Sequence, residues 1–118
     1  MARIMMKGNA NVDDIALLLK TEIKSSGHSC ELIDMVERKY GELTMHVMVF
    51  ERFYTRNMNR ASLTLVVTGN PYTTIVDAIC TIAGKGSLIN FSWGAEEDFI
   101  CIVQQILSNQ GFQQASQE

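Results

Sequence analysis

The run HVMVFERFYTRNMNRASLTLVV, residues 46–67, sets three arginines, Arg52, Arg56 and Arg60, among three aromatic rings, Phe50, Phe53 and Tyr54. Arginine beside aromatic rings can grip a phosphate, a carboxylate or a partner protein, because the planar guanidinium binds bidentately and also stacks. Methionine, aromatic and arginine side chains are the types enriched at protein interfaces. One residue is out of keeping with its neighbours. Glu51 falls between Val49 and Phe53 on what reads as an apolar side, where a carboxylate must find a partner or stay at a rim.

Other reactive residue types occur without the spacing their chemistry needs. Cys30, Cys80 and Cys101 are odd in number, far apart and free of any C-x-x-C pair, so neither a disulfide framework nor a zinc knuckle is written. His28-Ser29-Cys30 offers two potential metal ligands with no second pair, and no metal or cofactor is expected. Gly84-Lys85-Gly86-Ser87 lacks the length of a phosphate-binding loop and reads as a hairpin turn. His28 and His46 stand beside no nucleophile motif, so whether the chain is an enzyme stays open.

Composition narrows the classes. The chain has 118 residues, suited to one domain, 47% of them apolar, and a net charge of −3. The acidic balance makes nucleic acid an unfavoured partner. No apolar run reaches the roughly 20 residues that span a bilayer, so no membrane association is expected. The opening MARIMMKGNA lacks the apolar centre of a signal peptide, and the cysteines suit a reducing compartment; the expected location is the cytoplasm. All three thiols are expected to be reduced, with Cys80 and Cys101 buried and Cys30 the most exposed.

The elements that must position these residues follow from periodicity. Residues 3–8 form a short strand. NVDDIALLLKTEIKSSG reads as a helix with Asn11 as its cap, Asp13 and Asp14 in the first turn and Gly27 as its stop. Residues 30–39 and 42–54 read as strands about the Tyr40-Gly41 turn, and RASLTLVV as the next. Alternation places Leu43, Met45, Val47, Val49, Glu51 and Phe53 on one side, with Ala61, Leu63, Leu65 and Val67 of the next strand; these odd positions are read as the core face. Thr44, His46, Met48, Phe50, Arg52 and Tyr54 then face solvent. Residues 73–83 fit a helix repeat or a strand, and the β-branched content favours the strand. SLINFSW is read as a last strand, and AEEDFICIVQQILSNQG as an amphipathic helix stopped by Gly111.

At FERFY, NRASL and GAEEDFI the chain resembles a family of short bacterial domains of unknown function. The resemblance implies a bacterial cytoplasmic protein and carries no catalytic residue. The expected architecture is α+β: an antiparallel meander of five or six strands with two amphipathic helices on one face, in the order β-α-β-β-β-β-β-α. Residues 1–111 make the single domain and 112–118 a polar tail. The leading functional expectation is non-enzymatic association, as a homo-oligomer or with a partner protein, through His46, Met48, Phe50, Arg52, Tyr54 and Arg60. The alternative is a small-molecule or catalytic pocket between the sheet and the C-terminal helix, with Glu51 as its polar group and Trp93 and Phe99 as walls.

Overall fold

The computed structural model describes residues 1–26, 29–54, 59–84 and 95–115. Strand β1 (Ala2–Gly8) leads into helix α1 (Val12–Lys24). Four long strands follow: β2 (Cys30–Tyr40), β3 (Leu43–Tyr54), β4 (Asn59–Gly69) and β5 (Thr74–Gly84). Helix α2 (Ala95–Ser108) and the two-residue β6 (Gln113–Gln114) complete the order. Every strand pair is antiparallel, and the sheet runs β2-β3-β4-β5-β1-β6. This is the α+β meander with two helices that periodicity predicts. The ambiguous segment is strand β5, paired on both sides, as its β-branched residues favour. The expected strand SLINFSW lies outside the described residues, as do His28, Arg56 and Trp93.

Local chemistry explains the boundaries. The Asn11 side-chain oxygen accepts the backbone N–H groups of Asp13 at 2.8 Å and Asp14 at 3.2 Å, which caps α1. Gly41, with φ of 61°, opens a tight turn between Tyr40 and Leu43, a conformation that side chains with a Cβ resist. The Asn70 carboxamide accepts from the N–H groups of Tyr72 and Thr73 and folds the β4–β5 connection. That connection is tied to the start of α1, since Val12 N–H donates to the Asn70 carbonyl and the Thr74 hydroxyl to that of Ala10. The sixth strand comes from the stretch read as polar tail. Gln113 and Gln114 pair with Lys7 and Met6, and Phe112 is buried.

Both helices cover one side of the sheet, here called the inner face. Val12, Ile15, Leu19 and Ile23 of α1 and Phe99, Val103 and Leu107 of α2 share one core with Met6, Met48, Phe50, Leu63, Leu65 and Val76. Strand β4 presents its odd positions to that core, as read from the sequence. Strand β3 does the reverse: Thr44, His46, Met48 and Phe50 are buried, while Leu43 and Phe53 are exposed. The correction has a simple cause. Directly paired residues share a face, and β3 pairs with β4 as Phe50↔Leu63 and Met48↔Leu65, so an even number meets an odd one along the whole pair. Both sides of β3 are apolar, and alternation alone could not choose between them.

Candidate functional site

The consequence of this register is an outer face that neither helix covers among the described residues. One row crosses five strands in register: Val36, Val47, Val66, Asp77 and Met5. Met45 and Val49 flank it on β3, and Ile75 and Ile79 on β5. These residues are half-buried by their neighbours in the sheet, with Val36, Leu43 and Phe53 more exposed at its margin. Polar and charged groups of both signs are spread among them, including Arg3, Lys7, Arg38, Asp34 and Asp77. Strand β2 forms one edge of this sheet. It carries an irregularity between Leu32 and Asp34 and five charged side chains, devices that oppose edge-to-edge pairing.

The residues expected to form an interaction face divide between the two sides. Met48 and Phe50 are fully buried core residues. Arg52 also lies on the inner side: its guanidinium sits 4.7 Å from the Phe99 ring centroid, and Nη2 donates to the Ser26 hydroxyl at 2.9 Å. Its Nε is buried without a hydrogen-bond partner among the described residues, so Arg52 serves as a stacked cover over α2 rather than as an exposed grip. Cys30 lies directly opposite Arg52, and burial pushes its thiol above the ordinary value despite the opposing charge of Arg52. Arg60 is on the outer side and exposed. Tyr54 ends β3 opposite Asn59, and its side chain is outside the described residues.

Among the described residues the expected pocket does not assemble. Glu51 belongs to the outer face, while Phe99 is buried in the core on the other side of the sheet. Arg60 Nη1 stands 3.5 Å from Glu51 Oε1, a long, partly exposed ion pair at the margin. With Ser29, Glu31 and Phe53 these two residues line an open hollow, and Glu31 and Glu51 are direct cross-strand partners whose like charges Arg60 offsets.

Sequence reasoning missed a cluster at the opposite end of the inner face. His46 Nε2 lies 2.8 Å from Asp13 Oδ1, and Glu37 is the direct cross-strand partner of His46. One ligand atom from each of Asp13, Glu37 and His46 falls within 4.8 Å of the others. The three come from α1, β2 and β3, so no short motif announces them. The cysteines are all thiols; Cys80 is buried as expected, Cys30 is half-buried, and Cys101 is exposed, contrary to its expected burial. It points off the apolar stripe formed by Phe99, Val103 and Leu107.

A single antiparallel sheet with both helices packed on one face, and no element on the other among the described residues, defines a two-layer α+β domain. The chain belongs to the family of unknown function DUF6054, whose model matches residues 1–111. A search of curated proteins finds no match. Among the described residues no helix is long and apolar enough to cross a membrane.

Proposed function

We propose that this domain acts by association, and that the occupant of its outer sheet face is a second copy of the chain. The observation that carries the reading is the in-register row of Val36, Val47, Val66, Asp77 and Met5 across a sheet face that neither helix covers among the described residues. Four strands of 11 or 12 residues and the seven-residue β1, at roughly 3.3 Å per residue and about 4.8 Å between strands, give a face of roughly 800 Å². That matches the area of about 800 Å² which each partner contributes to a standard stable interface. Interspersed charges of both signs let the same surface oppose itself across a two-fold axis. The guarded β2 edge favours stacking of faces over addition of strands. The odd number and wide spacing of the three cysteines support a reducing, cytoplasmic setting, and the sequence resemblance supports a bacterial one.

Sedimentation equilibrium across a wide concentration range tests this reading. The wild type is expected to reach twice its monomer mass, and Val47→Asp with Val66→Asp to remain monomeric with an unchanged circular dichroism spectrum. A wild type that stays monomeric throughout, or a double variant that associates equally well, would sink the proposal.

A further inference from the structure

We propose that Asp13, Glu37 and His46 form a binding site for a divalent cation of the zinc type. Three protein ligands with an open fourth position is the pattern of an accessible zinc site, and imidazole nitrogen with carboxylate oxygen is a donor set such an ion accepts. His46 is the fixed member: it is 8% exposed and held in the β3 ladder. Asp13 and Glu37 approach it from α1 and from β2, with side chains about half exposed. Metal bonds of 2.0–2.2 Å place the donors of a tetrahedral site roughly 3.3 Å apart. The donors already lie within 4.8 Å of one another, and the two carboxylates sit on half-exposed side chains with room to rotate toward that spacing.

The surroundings leave room and set the charge. A cavity of about 130 Å³ opens beside the cluster, lined by Asp13, Ala16, Leu17, Lys20, Met35 and His46, and holds space for water as the fourth ligand. Two cations face the site. Lys39 stands 3.6 Å from Glu37 on an exposed stem that can swing into solvent, and Lys20 borders the cavity. The positive end of α1 also opposes a cation. Two carboxylates offset these, and His46 ligates through Nε2 as the proton it shares with Asp13 passes to Nδ1 or to solvent. The inference stands apart from association through the outer face, because the cluster lies on the other side of the sheet.

The test uses the full chain carrying Cys101→Ser, since an exposed thiol can itself take up zinc. Equilibrium dialysis with zinc should give one ion per chain. Asp13→Asn and Glu37→Gln should each weaken binding by at least about tenfold, since even outer-shell changes cost that much at metal sites. Glu37 is exposed, so Glu37→Gln leaves the fold intact. Cobalt(II) should give visible bands without the near-ultraviolet absorption of a thiolate ligand. Absence of stoichiometric binding, binding indifferent to Glu37→Gln, or a thiolate band would overturn the proposal.

Discussion

Replacing Phe50 with alanine separates the inner face from the outer one. The ring is fully buried between the sheet and the helices, and truncation of such a side chain costs about 3–5 kcal/mol. With 118 residues and an unfolding entropy of about 2.1 cal/mol/K per residue, each kcal/mol lowers the midpoint by about 4 °C, so the loss should be about 12–20 °C. Val49→Ala, one residue away on the outer face and only half-buried, should cost about 1 kcal/mol, or about 4 °C. Thermal unfolding followed by circular dichroism, at a concentration too low for association, measures both. Equal losses, or a larger loss for Val49→Ala, would refute the face assignment.

Asn11→Ala removes the cap of α1 and should cost about 1 kcal/mol, near 4 °C in the same assay. Gly69→Ala would drive a Cβ into the Thr73 carbonyl oxygen and to 2.9 Å from Thr74 Cα, both backbone atoms, so a loss of about 1–3 kcal/mol in denaturant unfolding is expected. Alkylation of the native protein should label Cys101 first, Cys30 more slowly because burial raises its thiol pKa and thins the thiolate, and Cys80 only after unfolding. Mass spectrometry of timed digests checks that order.

Much of the architecture is legible because its signals are local. Asn11, Asp13 and Asp14 announce α1, alternation announces β3 and β4, and the β-branched run of β5 outweighs its helical period. The faces of β3 are a different matter, because that strand is apolar on both sides. The polar positions of β4, Arg60, Ser62, Thr64 and Thr68, do mark its outer side, and pairing partners share a face. Carrying that side across a pairing of even with odd positions onto β3 sends Met48 and Phe50 inward, and this step needs the register of the hairpin. Glu51 then ceases to be an anomaly: it is a marginal outer-face carboxylate beside Arg60. The Asp13, Glu37 and His46 cluster was beyond sequence reasoning, since only the docking of α1 on β2 and β3 brings residues so far apart in the chain together.

Isotope-filtered nuclear Overhauser measurements on a mixture of labelled and unlabelled chains show whether the outer face meets a second copy. Contacts between copies are expected from the methyl groups of Val47, Val49, Val66, Ile75 and Ile79. Contacts confined to the β2 edge or to the exposed side of α1, with none from these methyl groups, would contradict association through the outer face.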